Sequence, residues 1–88
     1  MTESDRQLLA PLLTAAGQFM FGRAGGSPSD IADFDRIATR LVELQQEGYV
    51  EFLGAPTMDH TRPGDHYYSI RARLTPRGVA ALRPSARS

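Results

Sequence analysis

The chain has no cysteine and no lysine, its formal net charge is zero, and its apolar runs are short. Without cysteine there is neither a disulfide framework nor a thiolate zinc site, and this absence says little about compartment. The segment from Leu8 to Phe21 is interrupted by Pro11, Thr14 and Gln18 and is too short to span a bilayer. The opening residues MTESDR lack a basic region before an apolar stretch, so the expectation is a soluble, cytoplasmic protein. No glycine-rich phosphate loop is present, and neither His60 nor His66 has an evident serine or cysteine nucleophile beside it. An enzyme is not expected, and no cofactor is implied.

The zero charge hides an uneven distribution. Residues 1 to 60 hold nine acids and four arginines, whereas residues 61 to 88 hold six arginines and only Asp65. All ten cations are arginine, which a codon bias explains as readily as a need for bidentate phosphate contacts. With 88 residues the chain makes one domain with one small core.

The clearest periodic signal runs from Asp33 to Val50. Phe34, Ile37, Ala38, Leu41 and Leu44 follow the three-four spacing of a helix with one buried face, and Val42 lies one step off that stripe. Gly48 offers a left-handed stop, and Tyr49-Val50 switches the pattern to period two. Upstream, Ser4 and Gln7 have capping-box spacing, and Leu8, Leu9, Leu12, Leu13 and Ala16 share a face. Pro11 predicts a kink or a delayed start near Ala10, and this first helix is expected to stop before Arg23. The loop RAGGSPS follows. Ser27-Pro28 or Ser29-Asp30 can cap a short helix over residues 28 to 33, although Asp30 to Glu47 reads equally as one uninterrupted helix.

Beyond Gly48, YVEFLGA reads as a strand that ends at Ala55-Pro56. From Tyr67 to Leu74 the alternation predicts Tyr68, Ile70, Ala72 and Leu74 on a core face, with Tyr67, Ser69, Arg71 and Arg73 on a wet one. Between the strands PTMDHTRPGDH forms a long loop with a turn at Pro63-Gly64. Thr75-Pro76 caps a short helix carrying Val79 and Leu82, and residues 85–88 are an expected disordered tail.

The run LVELQQEGYVEF, then a polar loop, then YYSIRARLTPRGVAAL resembles the C-terminal half of bacterial winged-helix regulators of the PadR and MarR type. The similarity covers residues 34 to 82 and is carried by Leu41, Leu44, Gly48, Val50, Tyr68, Leu74, Thr75, Gly78 and Leu82. The chain departs from those families in its weakly marked second helix and in lacking their long dimerisation helices. The resemblance implies an α+β fold: a small winged helix-turn-helix domain over residues 1–84 with a three-helix core, a two-stranded β wing and a short C-terminal helix. It also implies a DNA-binding transcriptional regulator, acting on double-stranded DNA as a homodimer.

In that reading Arg36, Thr39 and Arg40 face base edges from the N-terminal half of the central helix. Arg62 at the wing tip and Arg71 and Arg73 on the strand contact phosphates, with Tyr67 against sugar or base. The competing assignment pairs Arg36 with Asp33 and Arg40 with Glu43, each pair worth about 0.2 to 0.5 kcal/mol on a solvated face. The apolar N-terminal segment offers Leu13, Phe19 and Phe21 as a dimer interface. Asp59-His60 and Asp65-His66 put two carboxylates and two imidazoles in one loop, but nothing in the sequence fixes their geometry, and no metal site is assigned. The alternative function is a winged-helix protein-protein interaction module that uses Asp30, Asp33 and Asp35.

Overall fold

The structure is a computed structural model and describes residues 2–14, 18–61 and 64–83. The elements are α1 (Glu3–Thr14), β1 (Phe19–Gly22), α2 (Pro28–Gln46), β2 (Val50–Phe52), β3 (Thr57–Asp59), β4 (His66–Leu74) and α3 (Pro76–Leu82). The fold is α+β, with an antiparallel four-stranded sheet in place of the expected two-stranded wing, because β1 pairs with β4 and residues 57–59, expected in the loop, pair with it too. β4 is the central strand. β1 pairs with one side of it over residues 69 to 72, while β2 and β3 follow one another along the other side. The helices cover one face, enclosing a core of Leu9, Leu12, Phe21, Phe34, Ala38, Leu41, Leu44, Val50, Ile70, Ala72 and Leu82. Among the described residues no helix is long and apolar enough to cross a membrane.

Residues 28 to 46 form one helix of 19 residues, so the open question of a separate second helix is answered in favour of continuity. The described chain therefore has three helices, not a three-helix core with a fourth closing it. The physical reason is local. After Pro28 there is no glycine or proline before Gly48 to interrupt the intrahelical hydrogen bonds. The capping signals at Ser27 start the whole helix: Ser27 Oγ accepts from Asp30 N–H at 3.1 Å, Asp30 returns a bond to Ser27 N–H, and Pro28 occupies the first turn.

The other end is closed by paired bonds, Gly48 N–H to Gln45 C=O and Tyr49 N–H to Leu44 C=O, with Gly48 at φ 87°. This is a Schellman cap, and it delivers the chain directly into β2. The motif residues then meet: Thr75 N–H bonds Tyr49 C=O, Thr75 Oγ1 donates to Gly48 C=O, and Gly78 N–H donates to Thr75 Oγ1. Gly48, Thr75 and Gly78 thus form one junction locking α3 against the end of α2.

Three other expectations need correction. α1 begins at Glu3 and runs through Pro11, so its start is not delayed. Its capping box is Thr2–Asp5, not Ser4–Gln7: Asp5 N–H bonds Thr2 Oγ1 and Thr2 N–H bonds Asp5 Oδ2. Phe19 to Gly22, expected to continue helix one, form a strand because antiparallel pairing with Ser69 to Ala72 buries Phe21 and satisfies the backbone.

The faces of β4 also switch. Thr57 stands opposite Ser69 but Met58 stands opposite Tyr67, so Tyr68 is an extra residue on β4, a bulge. One inserted residue reverses the alternation beyond it. Ile70 and Ala72 are buried as expected, but Tyr67 packs against the core and Tyr68 is exposed, its ring 5.1 Å from the Arg23 guanidinium. Ala16, Arg62, Pro63 and the tail lie outside the described residues.

Candidate functional site

The outward face of α2 was expected to present arginines, and the structure shows how each is engaged. Arg40 is bound to Asp5 of α1 by two parallel bonds, Nε to Oδ1 and Nη2 to Oδ2, both 2.8 Å. Its Nη1 reaches Glu43 at 3.0 Å and Glu47 at 3.4 Å. The bidentate guanidinium holds the Asp5 carboxyl far below the usual carboxylate range, assisted by Thr2, while Asp5 and then Glu43 push Arg40 up. Arg40 is therefore a brace between α1 and α2, wrapped by three carboxylates. Arg36 is 76% exposed and 3.3 Å from Asp33. Thr39 turns its hydroxyl back to Asp35 C=O at 2.8 Å.

The wing residues are similarly divided. Arg73 pairs with Glu51 across the β2–β4 ladder, Nε to Oε1 at 2.6 Å. Arg71 is exposed, stands opposite Met20 of β1, and has no carboxylate partner among the described residues. Tyr67 is half-buried against the core and its N–H donates to Asp35 at 3.0 Å, so the bulge removes its ring from the outer face where a nucleic-acid contact was expected.

Asp35 turns to the sheet and stays half-buried. His66 Nδ1 lies 2.6 Å from its Oδ2. Burial raises the Asp35 carboxyl, but the bonds from His66 and Tyr67 N–H outweigh it and leave the group below its ordinary value. Asp59 is held low chiefly by the hydroxyl and N–H of Thr61, and then by Arg23 at 2.9 Å. His60 pairs with Asp65 at 3.2 Å on the surface. Within this loop His60 and Asp65 thus pair with each other, while Asp59 bonds Thr61 and Arg23 and His66 bonds Asp35, and no metal-binding group of three or more acids, histidines or cysteines forms among the described residues.

Of the proposed dimer residues, Phe21 lies in the core, Phe19 packs against it, and Leu13 is 45% exposed. The apolar surplus of this segment is largely taken up inside the chain. Of the acidic trio, Asp30 caps α2, Asp35 ties the helix to β4, and Asp33 remains at the surface beside Arg36.

What the structure adds is a cleft of about 560 Å³ between α1 and α2, floored by Leu8 and Ile37 and bordered by Ser4, Asp5, Arg36, Thr39, Arg40 and Glu43. Its lining is mainly apolar. No known protein family, curated protein or solved structure matches this chain. The cleft therefore has to be read from its own chemistry. Its charged lining is two carboxylates, Asp5 and Glu43, and two guanidiniums, Arg36 and Arg40, with Asp33 and Glu47 paired to those arginines from neighbouring positions on α2. Ile37 was visible as part of the helical stripe, but its position at the edge of that stripe, beside Leu8, depends on where α1 lies.

Proposed function

We propose that this chain is a non-enzymatic docking module of winged-helix type that receives a protein segment in the α1/α2 cleft. One observation carries the reading: Arg40, at the centre of the helix face suited to base contacts, is already held by Asp5, Glu43 and Glu47, beside an open apolar floor. A phosphate approaching this face would meet more carboxylates than free cations. An amphipathic helix with apolar anchors matches the floor, and basic flanks match the exposed carboxylates of Asp33, Glu43 and Glu47 along α2. The winged-helix assignment is supported by the closed junction of Gly48, Thr75 and Gly78 and by the β2–β3–β4 hairpin.

A second reading, duplex DNA held by the wing, is favoured by Arg71, which is exposed and unpaired among the described residues within the basic last third of the chain. The two are separated by photo-crosslinkers placed at Ile37 and, in a second variant, at Arg71. Docking predicts protein adducts at position 37 and no nucleic-acid adduct at 71. Titration with random-sequence duplex should then show little binding at low salt. Steeply salt-dependent binding that Arg71→Ala weakens, with a slope reduced by about 0.9, would overturn the docking assignment in favour of the wing.

A further inference from the structure

We infer that β1 is a self-pairing edge through which two copies of this chain join their sheets into one. β1 lies at the margin of the sheet, with β4 on one side only. The register places Phe19 opposite Ala72 and Phe21 opposite Ile70, and Arg23 N–H continues the ladder to Tyr68 C=O. The odd-numbered residues thus hold the hydrogen bonds to β4. The N–H and C=O groups of Met20 and Gly22 therefore point away from the sheet.

The opposite margin is protected, whereas among the described residues none covers this one. Along β2 and β3 the chain is broken at Gly54 and Pro56, and Glu51 carries an ion-paired charge. β1 reads Phe-Met-Phe-Gly, with no charge, no proline and no bulge, so among the usual guards against edge pairing it has only its shortness.

A second copy is the occupant because the edge is complementary to itself. A two-fold axis through Phe21 sets Met20 opposite Gly22 of the second copy, and Gly22 opposite its Met20. Each of these two pairs exchanges both backbone bonds. The side chains fit the same register. Met20 is 51% exposed on the sheet face away from the helices, and a Cβ at Gly22 would meet nothing within 4 Å. Met20 of one copy lies in the space left by Gly22 of the other. The segment expected to dimerise does so through its outward residues, while Phe19 and Phe21 serve the core. So small a contact makes a weak dimer, with a dissociation constant no tighter than about 1 μM.

The test is sedimentation of the full chain over a wide concentration range, with Gly22→Pro and Met20→Lys alongside. Proline at 22 removes an outward N–H and spares the ladder to β4, and lysine at 20 charges the edge. The expected result is a dimer weakened more than tenfold by either change, with the melting temperature of Met20→Lys unchanged. Because the chain has no cysteine, register can be read independently. Mixing Met20→Cys with Gly22→Cys should give oxidised heterodimers in preference to either homodimer, while Thr57→Cys on the opposite margin should not cross-link. A chain monomeric at about 1 mM, or cross-linking without preference for the 20–22 pair, would overturn the inference. Neither result bears on the cleft, which lies between the helices.

Discussion

Gly78→Ala is expected to destabilise the domain by about 3 kcal/mol, the upper end for overpacking, and to lower its melting temperature by at least about 12 °C. A Cβ at this position would stand 2.0 Å from the carbonyl oxygen of Tyr49 and 3.0 Å from its carbonyl carbon. Leu74 Cδ2, also at 3.0 Å, can swing aside, but the Tyr49 peptide cannot. It sits in the Schellman cap of α2, and its C=O accepts from Thr75 N–H. Making room means lifting α3 from the junction and exposing Leu82. Gly54→Ala is the control. Gly54 has φ 92° and open space around it, so its replacement carries only the conformational cost, about 1 to 2 kcal/mol. Urea unfolding of both variants decides the matter: if Gly78→Ala is the milder of the two, the close approach of α3 to Tyr49 is wrong.

Arg40→Ala is expected to cost about 2 kcal/mol, between the values for exposed and buried pairs, because Arg40 is one-third exposed while Asp5 is 4% exposed. The loss comes less from the missing attraction than from leaving the Asp5 carboxylate buried with only Thr2, through its N–H and hydroxyl, to solvate it. The same pair makes the protein acid-sensitive. Asp5 ionises below its ordinary value of 3.8 in the folded chain, so its charge stabilises the fold above that pH. That contribution is lost as pH falls below about 4. Asp59 and Asp35 are shifted in the same direction and add to the loss. Asp5→Asn should flatten the pH dependence of stability below about pH 4 while lowering stability at neutral pH. Equal acid sensitivity in Asp5→Asn and the parent would show that the pair is not formed. The result also separates structural from functional roles: a base-reading arginine loses DNA affinity when removed and leaves unfolding unchanged, whereas a brace does the reverse.

This distinction explains why the α2 surface misleads when read from sequence. Arg36 and Arg40 sit on the outward side of a strong helical stripe, and their neighbours Asp33 and Glu43 are visible at three-residue spacing. Those local pairs are both present. Asp5, 35 residues away, gives no such sign, because its spacing to Arg40 depends on how α1 is laid across α2. The cleft has the same origin. Leu8 and Ile37 each belong to a recognisable apolar face, but whether such a residue is enclosed or left at an opening depends on the angle between two helices.

Local chemistry was sufficient for the part of α2 from Asp33 onward, its continuation into β2 and the capped start of α3, while the join of residues 28 to 33 to that helix stayed open until the structure showed one helix. These depend on the three-four apolar spacing, the left-handed freedom of Gly48 and the Thr75-Pro76 cap, all interactions within a few residues. Tertiary structure alone decided that Phe19 to Gly22 is a strand, that Tyr68 is a bulge exchanging the places of two tyrosines, and that Arg40 is consumed as a brace. A short aromatic segment gains strand geometry only when a partner satisfies its backbone, an extra strand residue is defined only against the strand opposite, and a charge is free or spent according to what the fold brings beside it.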